Sequence, residues 1–452
     1  MELQKITLLS VWSLCTLGTI AQNQVNLATQ GNPECVMLTI SGDAATQRAV
    51  SWRTDIKDTV SVAEIIEEQA DPTSVKQAIR IQGIHRLWED DAADYKMGHK
   101  VFFNNLKPAT RYLYRVGNDS IWSEWHNFTT ASAEVKPFSF LYFGDVQNDI
   151  KELGSRVLRQ STHHFPNASF LLFAGDLVGR STRDYWDEFF YAGSYLFSTI
   201  PSMPIAGNHE YYPSGKLDRT FSKHWNQIYT LPDNAPCPEY RNRLYYVDYQ
   251  GVRFVGLDAF NVTDKNDGPM IMEWLEKTLS QNPCKWTILF VHYPIYSCSQ
   301  GRNPEGYRET LKPVLEKYGV DLVLQGHDHT YCRGYNDEEV SQGCQNPPLY
   351  VVSVAGPKMY GLNTSFWGDR MGSLMQLYQH ISIDGDTLLF ESYDVTGQLY
   401  DAFTLQKRAG KANLFTEDNR VQNIPMNTSI PDNFKKKYTE EEMKRYQERF
   451  NK

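Results

Sequence analysis

Leu171-Leu172-Phe173-Ala174-Gly175-Asp176 is an apolar run that leads into a glycine and then a carboxylate. A buried strand that stops abruptly at a charged group has this form. A lone Gly-Asp says little, because such turns are common on surfaces. Here the design recurs. Leu141-Tyr142-Phe143 runs into Gly144-Asp145, and Met203-Pro204-Ile205-Ala206 into Gly207-Asn208-His209-Glu210. Ile288-Leu289-Phe290-Val291 runs into His292, and Leu322-Val323-Leu324-Gln325 into Gly326-His327-Asp328-His329. In open α/β sheets, ligands bind outside the carboxyl ends of the strands. The repeated pattern therefore predicts metal-ligand chemistry gathered along one edge of one sheet.

Working outward, the 452 residues suggest two or three domains. A hydrophobic fraction of 41% and an aromatic fraction of 13% are globular values. The formal net charge of −9 is diffuse, which argues against non-specific nucleic-acid binding. It does not argue against a phosphorylated small molecule, since metal ions can make a site locally positive. Ile6 to Ala21 is apolar behind Lys5 and shorter than the roughly 20 residues of a bilayer span. Residues 1–21 thus read as a secretory signal cleaved near Ala21, with an uncleaved anchor as the alternative, and no stable membrane span is expected. The expected location is secreted, periplasmic or otherwise outside the cytoplasm. Cys35, Cys237, Cys284, Cys298, Cys332 and Cys344 then remain, an even set that permits disulfides without fixing their pairing. The oligomeric state is open.

From 25 to 131 the chain shows short alternating strands, such as Met37-Leu38-Thr39-Ile40 and Ala49-Val50-Ser51-Trp52, which suggest a β-sandwich. Leu106-Lys107-Pro108-Ala109-Thr110-Arg111-Tyr112 resembles the fibronectin type III signature, with Tyr112 as corner tyrosine and Trp52 in the core. No chemistry is expected there. After a linker near Pro137, βα units begin. Ile150, Leu153, Val157 and Leu158, then Tyr185, Phe189 and Phe190, then Tyr307, Leu311, Val314, Leu315 and Tyr318 have helical spacing. Two alternating runs around Gln250-Gly251 read as a hairpin, and strands dominate from Leu349 to Leu405. Residues 137–407 form the second domain. A polar tail over 408–452 ends in a helix with a Thr439–Glu442 capping box and Tyr438 placed to staple Met443.

Imidazole and carboxylate ligands together suit zinc, iron, manganese or nickel, not calcium. Two aspartates, one asparagine and three histidines are too many for one tetrahedral ion and right for two sharing a carboxylate. Two ions about 3.5–4 Å apart can clamp the attacking and leaving oxygens of a phosphoryl displacement. The five blocks, in this order, resemble those of the calcineurin-like metallophosphoesterases. The fibronectin-like domain, His292-Tyr293-Pro294-Ile295-Tyr296 and Glu305-Gly306 narrow the resemblance to the purple acid phosphatases.

That resemblance implies an α/β fold, a sandwich of two β-sheets flanked by helices and preceded by the all-β domain. It implies two divalent or trivalent ions, iron with zinc or manganese. Asp145 and His329 would bind the first, Asp176 would bridge both, and Asn208, His292 and His327 would bind the second. His209 would hold the phosphate or protonate the leaving group, with Glu210 behind it. A metal-bound hydroxide would attack a phosphate monoester. A phosphodiesterase or nucleotidase on the same metals, and an inactive binding or adhesion protein, are the alternatives; beyond a nucleotide as substrate, no nucleic acid is expected. Two positions depart from the family. Gly179 stands where a tyrosine usually supplies the purple colour by charge transfer to ferric iron, which predicts a colourless protein. Gly301-Arg302 stands where histidines often face the substrate, so Arg302 is a candidate phosphate ligand, weighed against a solvent-facing loop arginine. Arg180 is a weaker candidate of the same kind. Gln147, two after Asp145, is either a contact of the first metal or a solvated turn residue.

Overall fold

The structure, a computed structural model, describes residues 32–89, 95–212, 220–335, 339–364 and 367–450. The expected signal peptide, 1–21, lies outside these residues. No helix among them is long and apolar enough to cross a membrane.

The apolar runs form strands, but in two sheets. Phe138–Phe143, Leu171–Ala174 and Ser202–Ile205 are parallel neighbours at the centre of an eleven-stranded sheet. The antiparallel strands Leu377–Asp384, Thr387–Asp394, Leu399–Arg408 and Lys411–Glu417 extend it on one side. Trp286–Val291 and Leu322–Gln325 belong instead to a seven-stranded sheet, beside the hairpin Leu244–Tyr249/Val252–Leu257. The expectation of a single sheet edge is thus corrected to the adjoining ends of two sheets. Strand pairing is non-local, and fully buried strands such as Leu171–Ala174 and Trp286–Val291 look alike whichever sheet they join.

The sheets pack face to face. Phe140 and Phe170 on one side meet Phe254 on the other edge-to-face, with ring centroids 5.2 Å apart in both pairs. The helices Ser155–His164 and Arg183–Thr199 cover the first sheet where the apolar spacing places them. Glu305–Lys317 and Gly268–Ser280 cover the second. The last of these had a readable signature, Ile271, Trp274, Leu275 and Leu279 on one face, that the sequence reading did not use. At the hairpin turn, Gln250 and Gly251 both have positive φ (44° and 89°), the geometry that matches strand twist.

The N-terminal strands Glu34–Thr39, Arg48–Asp55, Lys96–Phe103 and Ile84–Trp88 complete the eleven-stranded sheet on its other side, and a four-stranded sheet packs on them in a sandwich whose core sets Leu38, Val50, Trp52 and Val101 against Ile65, Tyr112, Tyr114 and Phe128. The Tyr112 hydroxyl accepts a hydrogen bond from the Lys107 amide (2.8 Å), as the corner tyrosine should. Trp52 is fully buried and stacks on His99. Strand Glu34–Thr39 meets the large sheet through the pairing of Thr39 with Ser202, and Tyr114 donates to the Ser198 carbonyl, so this domain is docked on the second. At the other end, Thr439 and Glu442 form the capping box of helix Glu440–Phe450. Tyr438 there packs on Tyr446, and Tyr446 is buried in the second core. All six described cysteines carry free thiols.

Candidate metal centre

Asp145, Asp176, Asn208, His292, His327 and His329 follow the ends of their strands and converge on one rim. Glycines make the approach possible. A Cβ at Gly207 would lie 2.2 Å from Asp176 Oδ1, and one at Gly326 would lie 2.6 Å from Asp145 Oδ1. Asp176 and His327 themselves have positive φ, 49° and 69°. Side chains avoid this region at a cost of about 1–3 kcal/mol each, and such strain collects at functional sites.

Backbone amides fix the aspartates. His327 N–H donates to Asp145 Oδ1 (2.6 Å) and His209 N–H to Asp176 Oδ1 (2.8 Å), which leaves each Oδ2 facing inward. His292 Nδ1 lies 3.0 Å from the Ala174 carbonyl and so donates to it. Its Nε2 then faces Asp176 Oδ2 (3.3 Å), Asn208 Oδ1 (3.2 Å) and His327 Nδ1 (3.1 Å). His329 Nε2 lies 3.3 Å from Asp145 Oδ2, which has no hydrogen-bond donor. Gln147 is buried, not solvated, and its amide nitrogen lies 2.9 Å from Asp176 Oδ2 and 3.2 Å from His329 Nε2.

Lone pairs so gathered need a cation between them. Burial alone would lower His292, but the Asp176 and Asp145 charges outweigh it and raise its pKa to about 9, so the ion-free cluster draws in a proton. Burial raises Asp145 to about 7, with Asp176 adding to the rise against the pull of His292. Burial keeps His327 and His329 neutral, helped at His327 by the positive charge of His292 and at His329 by Lys358. Once a metal displaces that proton, three imidazoles, two aspartates and an asparagine oxygen fit the implied ions. Asp176, His292 and His327 offer ligand atoms all within 4.8 Å of one another.

His209 stands at the edge of the cluster, its side chain 22% exposed. Nδ1 is 2.5 Å from the Gly179 carbonyl, and Nε2 is 3.9 Å from Asp176 Oδ2. Gly179 thus orients His209, and a side chain there would meet Tyr185, whose Cε1 would be 3.0 Å from its Cβ. Glu210 is fully buried and accepts from three backbone amides, Gly207 (2.7 Å), Asp176 (3.0 Å) and Leu177 (3.0 Å). Arg302 borders the cluster without pointing freely to solvent. Its Nη1 donates to the His327 carbonyl (3.1 Å) and pairs with buried Asp328 (3.0 Å). Arg180 is exposed. Among the remaining described histidines, His99 bonds Thr54 and Ser61, His164 bonds Tyr378, His224 bonds Trp88, and His380 pairs with Glu391.

Asp258 was missed, although Val255-Gly256-Leu257-Asp258 repeats the strand-end signature. It is buried and bound by Arg243 Nε (2.8 Å) and the Tyr211 hydroxyl (2.6 Å), so it braces the site instead of ligating. The aromatic rings beside the cluster, Tyr212 and Tyr293 foremost, were missed too, because half-buried aromatics read as core.

Residues 138–331 match the calcineurin-like phosphoesterase family, and residues 33–130 match the purple acid phosphatase N-terminal domain. Residues 138–331 thus carry a calcineurin-like phosphoesterase domain, in keeping with the two-sheet fold and its rim of ligands. With the N-terminal match, the chain is similar to the purple acid phosphatases. It is 29% identical over 277 residues to purple acid phosphatase 21 of Arabidopsis thaliana, across 59% of this chain and 60% of that protein. To purple acid phosphatase 23 of the same plant it is 28% identical, across 54% and 59%. The match thus spans about 60% of the length of these relatives. Among solved structures, purple acid phosphatase PPD1 from yellow lupin (Lupinus luteus) seeds shares the fold, with a TM-score of 0.68 at 20% identity over 84% of this chain and 75% of that one.

Proposed function

We propose that this protein is a binuclear-metal phosphatase that hydrolyses phosphate monoesters outside the cytoplasm, with its chemistry in 137–407 and a supporting domain over 25–131. One observation carries the reading: six ligand side chains from two sheets meet with their lone pairs facing each other and with buried Asp145 Oδ2 unpaired. Asp145 and His329 would hold one ion, Asn208, His292 and His327 the other, and Asp176 would bridge them. Iron with zinc or manganese suits these ligands. When bound, such ions lower the pKa of water and neutralise charge on the phosphoryl oxygens.

The chain's own residues supply the rest. The Gly179 carbonyl fixes His209 so that Nε2 faces the cluster, where it can hold a phosphate oxygen or deliver a proton to the departing alcohol. Glu210 keeps the backbone of Gly207, Asp176 and Leu177 in place through its three amide bonds. Arg302 adds positive charge at the rim, held by Asp328. The test is turnover of a chromogenic phosphate monoester and its diester by the metal-loaded chain, with Asp176→Asn alongside. Fast monoester turnover, lost in the variant, is expected. Preference for the diester would move the assignment to a phosphodiesterase, and inactivity on both with metal bound would favour a binding role.

A further inference from the structure

The cluster is flanked unevenly. On the His329 side, Tyr360 lies against the imidazole (centroids 4.6 Å apart), with Arg302 and Lys358 over its ring at 5.0 and 5.5 Å. On the His209 side the flank is aromatic. Tyr212 stacks on His209 itself, centroids 4.9 Å apart and planes 28° apart. Tyr293 lies against His327 (4.8 Å) and His292 (5.3 Å), and Tyr307 is stacked behind it at 4.8 Å and 9°. Phe260 links Tyr293 (6.3 Å) to Tyr211 (3.8 Å, 11°), whose hydroxyl is tied to buried Asp258. Tyr212, Phe260, Tyr293 and Tyr307 are all half-buried.

This arrangement sorts the two ends of a substrate, given the phosphatase reading on which the inference rests. Where His209 protonates the departing alcohol, the leaving group lies on its side of the cluster, the side of Tyr212 and Tyr293. These rings touch the site imidazoles directly. A ring joined to phosphorus through a single ester oxygen reaches them, whereas a nucleotide would present its ribose there. Rings braced from behind are pre-organised for stacking and lose little freedom on binding. We propose that Tyr212, Tyr293 and Tyr307 form a leaving-group subsite that selects phosphate monoesters of phenols.

The test uses phosphonates, which bind without reacting. Calorimetry on the metal-loaded full chain compares phenylphosphonate with methylphosphonate. The ring should tighten binding about tenfold. In Tyr212→Ala and in Tyr293→Leu, which keeps bulk but not the aromatic face, the ratio should fall to about threefold or less. Equal binding of both phosphonates by the unaltered protein, or an undiminished ratio in both variants, would overturn the subsite alone. Tighter binding of a nucleoside 5′-phosphonate than of phenylphosphonate would overturn it in favour of a nucleotide. Binding of neither phosphonate with metals in place would overturn the subsite and the phosphatase reading together.

Discussion

Replacing Glu210 with glutamine changes almost no volume but removes one acceptor where three donors point. In the native site Oε2 accepts from Gly207 and Asp176, and Oε1 from Leu177, all fully buried or nearly so. A carboxamide has a single acceptor oxygen. Its better orientation keeps the Gly207 and Asp176 bonds and turns an NH2 group against the Leu177 N–H; the other orientation keeps only one bond. At least one buried amide is left without its acceptor, for about 1–3 kcal/mol, and two buried donors are forced together. The strain at Asp176, with φ at 49°, then keeps its own amide bond but loses the anchor of the next residue, Leu177. Groups that orient metal ligands typically change affinity 10–100-fold when altered. Glu210→Gln should therefore lower the chemical unfolding midpoint of the metal-free protein, by about 2 kcal/mol of stability, and weaken zinc binding at least about tenfold in competition with a chelating dye. If stability stayed within about 0.5 kcal/mol of wild type and zinc affinity within about twofold, Glu210 would not be the brace described here.

Three further outcomes are expected. Burial holds His99 down to about 4 from an ordinary 6.5, so the fold binds fewer protons there than the unfolded chain and loses stability as pH falls from about 6.5 to 4. The loss is about 3 kcal/mol, seen as a slope of unfolding free energy with pH that His99→Gln would partly abolish. Arg302→Ala leaves Asp328 buried and unpaired and should destabilise by about 2 kcal/mol, less than a fully buried pair since Arg302 is 29% exposed. Arg302→Lys keeps the pair and should raise KM for a monoester severalfold, and an unchanged KM would remove Arg302 from substrate binding. The iron-loaded protein should show no strong visible band, and Gly179→Tyr alone should not create one, because Tyr185 occupies the space a side chain would need. Absorption spectra of the wild type, Gly179→Tyr and the double variant with Tyr185→Ala check this, the band appearing only in the last.

The ligand-bearing strands were legible because each joins three local signals: a run buried on both faces, a small residue that lets the backbone turn, and a side chain with no reason to be buried unless it has a task. Their division between two sheets was not, since pairing Leu322–Gln325 with Trp286–Val291 and not with Leu171–Ala174 depends on contacts far apart in the chain. Asp258 shows the limit of the local signature. It has the form of a ligand, but Arg243 and Tyr211 claim it, and only the fold brings them together. Gln147, two residues past a ligand, read equally as a metal contact or a solvated turn residue, and only the fold shows it buried between Asp176 and His329. Arg302 read as a choice between substrate and solvent, and its principal partner is a third thing, the carboxylate of Asp328.

The number of metal ions per chain tests the central claim most directly. Titration of the metal-free protein with zinc, followed by elemental analysis after desalting, should give two ions per chain, and fewer than two in Asp176→Asn because the shared ligand is lost. A single ion in the wild type, or two retained unchanged in Asp176→Asn, would contradict a binuclear centre bridged by Asp176.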